Sequence, residues 1–131
     1  MAFTVSFMYN YAMQIIFDPN LAKSLEDRYA VLELDTVSQP GMQDPLTLHA
    51  VIEHITLEDI VDLANLRELH KQLMFHYKSS EWHLVPHAVE PLMGKWNGEL
   101  DTFYQEVLDF SAEYAKLNKT WDGVRHTVPN E

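Results

Sequence analysis

Residues 98–120 constrain the fold most strongly, because their apolar positions repeat with the 3.6-residue period of an α-helix. One side of this helix is aromatic and aliphatic apart from a single serine, and its members are Leu100, Phe103, Tyr104, Val107, Phe110, Ser111, Tyr114 and Leu117. Acidic residues open the segment and lysines close it, which suits the helix dipole. A helix with so wide an apolar side needs a second layer to bury it, so we predict a long helix over 98–120 packed on a core and ended by Gly123.

The start of the chain follows a period of two residues instead. Every odd position from Phe3 to Phe17 is apolar or aromatic, and the even positions are mostly polar or small. This alternation is typical of a half-buried strand, and the aromatic and β-branched content favours that interpretation. We predict a strand over about 3–17. The stretch is long for one strand, so a hairpin turning near Asn10 is one alternative, and a helix is the other.

Two helix starts are marked by an aspartate that precedes a proline. Asp18 and Asp44 occupy these positions. Aspartate caps the free N–H groups of a first turn, and proline fits the first helical position because it has no N–H to lose. Apolar residues at helical spacing follow the second start. We therefore predict helices over about 19–28 and 45–55.

A second strand is predicted over 29–37, where polar and apolar residues alternate again. Leu32 and Leu34 point to one side of it, and Glu33 and Asp35 point to the other.

A further helix is predicted over about 57–77, since Thr56 is a typical N-cap residue. Its expected buried side consists of Ile60, Leu63, Leu66, Leu73, Met74 and Tyr77. The following segment, 78–97, contains prolines and tryptophans and is expected to lie irregularly on the core, with a short strand at Trp82–Val85 as one option.

These elements define an α+β fold in one domain over 1–131, a common length for a single domain. The sheet comes from the N-terminal third, and three or four helices pack on it. The predicted strands cover about 3–17 and 29–37, and the predicted helices cover about 19–28, 45–55, 57–77 and 98–120.

The composition excludes several functional classes. The chain has no cysteine, which excludes thiol catalysis, zinc–thiolate sites and disulfides and fits the cytoplasm, our predicted location. Its net charge is −11, which disfavours binding to nucleic acid or to an anionic membrane. The glycine-rich motifs of nucleotide sites do not occur, so no cofactor is expected. The first 17 residues lack the basic start of a signal peptide, and polar residues interrupt them too often for a membrane span.

Seven histidines raise the question of a metal site. Two ligands on one helix must be three or four residues apart. Within the predicted helices only two histidine–carboxylate pairs have that spacing, namely His49 with Glu53 and His54 with Glu58. We predict no metal site.

The weak candidates for a metal site lie in a loop. They are His83, His87 and Glu90, and Pro86 disfavours a helix through them.

His70 lies in the apolar side of the helix predicted over 57–77. A core histidine with a satisfied hydrogen bond is the expected role. A catalytic base is the alternative, but no nucleophile or carboxylate partner can be assigned to it from the sequence.

The polar side of the 98–120 helix carries the candidate binding residues Asp101, Glu106, Asp109 and Glu113. Asp109 and Glu113 repel each other at i, i+4 spacing. A solvated helix surface is the ordinary explanation for such a set of charges, and recognition of a basic protein is the functional one.

Three functional hypotheses follow. The charge and the acidic helix side favour a non-enzymatic protein-interaction module, such as an inhibitor or immunity-type protein that binds a basic target. The uncharged N-terminal segment instead favours a homo-oligomer, namely a self-assembling structural subunit of a viral or multiprotein particle. The third hypothesis is a small histidine- or metal-dependent enzyme that uses His49, His54, His83 or His87.

Overall fold

The computed structural model describes residues 14–126 apart from 17, 27, 39, 40, 42 and 54. The described residues form four strands and five α-helices, which confirms the α+β class. In chain order they are β1 (Gln14–Ile16), α1 (Pro19–Leu25), β2 (Ala30–Ser38), β3 (Leu46–Ile52), α2 (Leu57–Val61), α3 (Leu63–Lys78), α4 (Val85–Val89), α5 (Asp101–Lys116) and β4 (Val124–His126).

The four strands form one mixed sheet in the order β1-β3-β2-β4. β3 lies antiparallel to both β1 and β2, whereas β4 runs parallel to β2. β4 pairs only with the end of β2, from Thr36 to Ser38. No described strand pairs with the first half of β2 on that side, so within the described part of the chain this half forms an edge of the sheet, which we call the free edge of β2.

The helix predicted over 45–55 is wrong, because Leu46–Ile52 forms the strand β3. Both faces of β3 are covered. Most of its apolar residues lie in the main core, whereas Val51 packs with Ile16 and Ala22 on the opposite face of the sheet. Burial on both faces removes the polar–apolar alternation of a strand, and the resulting apolar run imitates helical spacing.

The helix predicted over 57–77 is interrupted at Asp62, where φ is −105° and ψ is 17°. It therefore forms two helices, α2 and α3. The break turns Ile60 away from the predicted buried side, and its side chain is 49% exposed. The short strand considered at Trp82–Val85 is instead a 3-10 turn over Trp82–Leu84 followed by α4.

The other predicted elements are confirmed with shifted ends. The strand over 29–37 is β2, the helix over 19–28 is α1, and the helix over 98–120 is α5. Of the strand predicted over 3–17, the structure describes only β1, and its other residues lie outside the described part of the chain. α5 ends before Asn118, whose φ is 53°, so Gly123 is not its cap.

The main core lies between one face of the sheet and the pair α3 and α5. Its largest fully buried side chains are Trp96, Tyr77, Tyr104 and Phe103. Apolar burial of this kind is the main stabilising term of a small domain. α1 covers part of the opposite face of the sheet.

A β-bulge in β2 corrects one prediction. The register with β3 shifts between Glu33 and Thr36, so two residues of β2 lie opposite one residue of β3. As a result Asp35 does not share the outer side with Glu33. Its side chain is 1% exposed and lies in the core beside Leu34.

Within the described ranges, no helix combines the length and the apolar character that crossing a membrane requires.

Candidate functional site

The exposed side of α5 carries Asp109 and Glu113, one helical turn apart. Asp109 Oδ1 accepts a hydrogen bond of 3.0 Å from Nε2 of Gln105, which is neutral. No lysine or arginine among the described residues forms an ion pair with either carboxylate. The two carboxylates are therefore exposed to solvent, and neither is held in an ion pair with a described lysine or arginine. We call these two side chains the α5 acidic pair.

The other two predicted binding residues are engaged within the fold. Asp101 is half-buried, and its Oδ1 accepts a hydrogen bond of 2.9 Å from the backbone N–H of Gly94. This contact holds the turn that precedes α5. Glu106 is also half-buried and has an interaction partner within the chain. The structure places all four acids on α5, but only the α5 acidic pair is freely accessible.

The inner side of α5 is fixed by a buried hydrogen-bond network. The Tyr104 hydroxyl accepts a bond of 2.9 Å from the indole Nε1–H of Trp96. The same hydroxyl is 2.9 Å from Nδ1 of His70, and the Nε2 atom of that ring is 2.6 Å from the carbonyl oxygen of Glu33. The network joins α5 to α3 and β2, so it holds the acidic pair on a rigid support.

Hydrogen bonding and burial together favour the neutral form of His70. A carbonyl oxygen only accepts, so Nε2–H donates to Glu33, and in a neutral ring Nδ1 then accepts from the Tyr104 hydroxyl. Burial lowers the pKa of His70 to about 4, which agrees with a neutral ring. Burial also raises the pKa of Tyr104. Both ring nitrogens are occupied, so His70 is a core histidine and offers no nitrogen to a substrate.

A second network links α2 to the turn before α5. The backbone N–H of Trp96 donates a bond of 3.0 Å to Oδ2 of Asp59, a residue only 5% exposed. Oγ1 of Thr56 accepts from the N–H of Asp59, which confirms the predicted N-cap. These contacts hold Trp96 at the centre of the core.

The bulged residue Asp35, which is buried, forms an ion pair with the half-buried Arg125 that the alternation of the sequence did not predict. Nε of Arg125 lies 3.3 Å from Oδ2 of Asp35, and Nη2 of the same side chain donates a bond of 2.9 Å to the Tyr77 hydroxyl. The guanidinium carbon also lies 5.0 Å from the ring centre of Phe110. Burial raises the pKa of Tyr77. This cluster fastens β4 to α3 and α5.

The residues of the metal hypothesis do not converge. His83, His87 and Glu90 are all exposed and lie in three consecutive short helical segments. Among the described residues, no group of three or more histidine and acidic side chains can hold a metal ion.

One of the two predicted histidine–carboxylate pairs, His49 with Glu53, is also wrong. His49 lies on strand β3, so it is not one helical turn from Glu53. Burial lowers the pKa of His49. His54 lies outside the described residues, as does the N-terminal segment on which the self-assembly hypothesis depends, apart from β1.

A basic groove between β2 and α3 was also missed. It encloses about 400 Å³, and its lining includes Arg67, Lys71 and Lys78. These are three of the nine basic residues of the chain. The helical spacing of these residues indicates that they share one side of α3. The groove itself depends on how α3 lies against β2, which the sequence does not show.

No protein-family model, curated protein or solved structure matches the chain.

Proposed function

We propose that this chain is a non-enzymatic protein-interaction module that binds a basic protein through the α5 acidic pair. An inhibitor or immunity-type protein is its most concrete form. The observation that carries the proposal is that Asp109 and Glu113 are exposed and form no ion pair with a described residue, on a helix whose inner side is fixed in the core by hydrogen bonds. Like charges at this spacing cost a few tenths of a kcal/mol, roughly what an i, i+4 ion pair gains. A binding role accounts for that cost.

Rigid support for the pair favours binding. Ordering a mobile surface opposes association, and a surface that is already ordered avoids that cost. The Tyr104 and Trp96 hydrogen bonds hold α5 before any partner arrives. The side chains of Asp109 and Glu113 are then the main groups that must be ordered on binding.

The charge of the α5 acidic pair indicates the class of protein that would bind it. A surface rich in lysine and arginine complements the acidic pair, and the net charge of −11 attracts such a surface over longer distances. Attraction of this kind speeds encounter and weakens as salt rises. A phosphate-bearing partner would be repelled.

A capture experiment with matched charge changes tests the proposal. The test variant is Asp109→Lys with Glu113→Lys, and the control is Glu53→Lys with Glu90→Lys, at exposed positions outside α5. Each double variant reverses two acids, so its net charge changes by four, from −11 to −7. Each protein is immobilised and exposed to the same cell lysate.

The proposal expects a basic protein that the wild type and the control retain and that the α5 variant loses. Equal loss by both variants would show that bulk charge, and not the α5 acidic pair, governs capture. A wild type that retains no basic protein would also contradict the proposal.

A further inference from the structure

The free edge of β2 presents peptide groups to the basic groove. The carbonyl oxygen of Tyr29 accepts a bond of 3.3 Å from Nη2 of Arg67, and that of Glu33 lies 2.6 Å from Nε2 of His70. Both carbonyls, that of Tyr29 just before β2 and that of Glu33 within it, therefore point towards α3. Peptide groups of a strand alternate in direction with a period of two, so the N–H and C=O of Val31 point the same way.

Val31 lies between Tyr29 and Glu33, and α3 does not bond to its peptide groups. Its pairing with Val51 of β3 continues the regular antiparallel register, so the bulge does not disturb it. Among the described residues, no hydrogen bond reaches its N–H or C=O from α3. A free N–H and C=O on one residue are the pair that an added antiparallel strand uses.

The wall of the groove opposite this edge is positively charged. Arg67 and Lys71 stand one helical turn apart on α3, and neither forms an ion pair with a described carboxylate. Lys78 pairs with Glu33 at the far end. The lining therefore has three cations and one anion, in a chain whose net charge is −11.

Apolar surface completes the groove. Met74 forms part of its lining, and the Phe75 side chain beside it is 65% exposed. Phenylalanine is among the side chains most often buried, so Phe75 leaves apolar surface beside the groove that a partner side chain can cover.

We propose that this groove binds an extended acidic peptide segment of a partner, which adds to β2 as a further strand. Main-chain bonds to Val31 hold the segment. Its carboxylates meet Arg67 and Lys71, and an apolar side chain contacts Phe75.

The dimensions of the groove fit an extended segment. Arg67 and Lys78 are eleven residues apart on one helix, which at 1.5 Å per residue is about 16 Å. A strand rises about 3.3 Å per residue, so the charged wall is as long as about five residues of strand. A single small anion would contact only part of it.

Lysines beside a strand edge also have a purely protective role, because they keep other strands from pairing there. A protective role and a recognition role of these lysines predict opposite outcomes when an acidic peptide is added. A protected edge rejects every added strand, whereas a recognition groove accepts one whose charges are complementary.

The test uses a fluorescent, capped peptide of alternating glutamate and valine, with binding followed by fluorescence anisotropy. Two control peptides separate the contribution of strand pairing from the contribution of charge. One carries N-methyl groups on alternate amides, which keeps the charges but prevents strand pairing, and the other has lysine in place of glutamate. We expect binding of the first peptide, weakening by about tenfold or more on N-methylation, and no binding of the lysine peptide. The backbone amide of Val31 should shift in the NMR spectrum of the complex.

Matched variants of the protein locate the binding. Lys71→Glu should weaken binding of the acidic peptide about fivefold, whereas Lys116→Glu, the same change at an exposed position of α5, should have a smaller effect. Equal effects of both variants would contradict the proposal, as would N-methylated peptide that binds as well as the parent. Displacement of the peptide by an equal charge of inorganic phosphate would show a simple anion site instead.

The groove lies on other elements than the α5 acidic pair, so each proposal can fail alone. The variant Asp109→Lys with Glu113→Lys should bind the acidic peptide at least as tightly as the wild type. Loss of peptide binding in that variant would contradict the assignment to the groove.

Discussion

Acidification from pH 7 to pH 5 should destabilise the protein through His70. Burial holds the pKa of this histidine at about 4, below its ordinary value of 6.5. Between these two values the unfolded chain binds a proton that the folded chain rejects. Stability is therefore complete above pH 6.5 and is lost as the pH falls through the window from 6.5 to 4. Each pKa unit corresponds to about 1.4 kcal/mol, so the loss between pH 7 and pH 5 is about 2 kcal/mol.

Urea unfolding at the two pH values, followed by tryptophan fluorescence, measures this loss. His70→Gln is the informative variant, because its amide can still donate to the Glu33 carbonyl but does not titrate. Burial also lowers the pKa of His49, so the wild type loses more than the His70 contribution. The difference in pH dependence between wild type and His70→Gln isolates that contribution. His83→Gln, at an exposed position, is the control and should keep the pH dependence of the wild type.

Two results would refute this account of His70. The first is an equal pH dependence in the wild type and in His70→Gln. The second is an imidazole signal of His70 that titrates near pH 6.5 in NMR spectra of the folded protein.

Three further changes should alter the free energy of unfolding, measured in urea at neutral pH. Gly123→Ala should lower it by about 1–3 kcal/mol, because the residue has φ +82° and a Cβ atom would lie 3.1 Å from the Lys78 carbonyl oxygen; an unchanged midpoint would contradict this. Arg125→Met should lower it by about 3 kcal/mol, since Asp35 would remain buried without its cation; adding Asp35→Asn should recover part of the loss. Asp109→Lys should raise it by a few tenths of a kcal/mol by relieving repulsion, and a loss would show that the carboxylate supports the fold.

Periodicity in the sequence predicted the elements that have one buried face. α5 buries one side, so polar and apolar residues separate along it, and buried positions alternate along β2 up to its bulge. His70 was placed in the core for the same reason. β3 was mistaken for a helix because both of its faces are covered, which erases the alternation that identifies a strand.

Tertiary contacts determine what the sequence could not reveal. Asp35 occupies an outward position by strict alternation, and only the bulge turns it towards Arg125. Helical spacing placed Asp101 on the acidic side of α5, but its hydrogen bond to Gly94 depends on the turn that precedes the helix. The basic groove forms because α3 lies beside the half of β2 that pairs with β3 on one side and with no described strand on the other.

The association rate constant of the captured basic partner, measured at low and high salt, tests the proposed function most directly. The account predicts fast association of the wild type that slows as salt rises. It also predicts slower and less salt-dependent association for the variant Asp109→Lys with Glu113→Lys, and a near-normal rate for Glu53→Lys with Glu90→Lys. An unchanged rate for the α5 variant would contradict the claim that Asp109 and Glu113 form the binding surface.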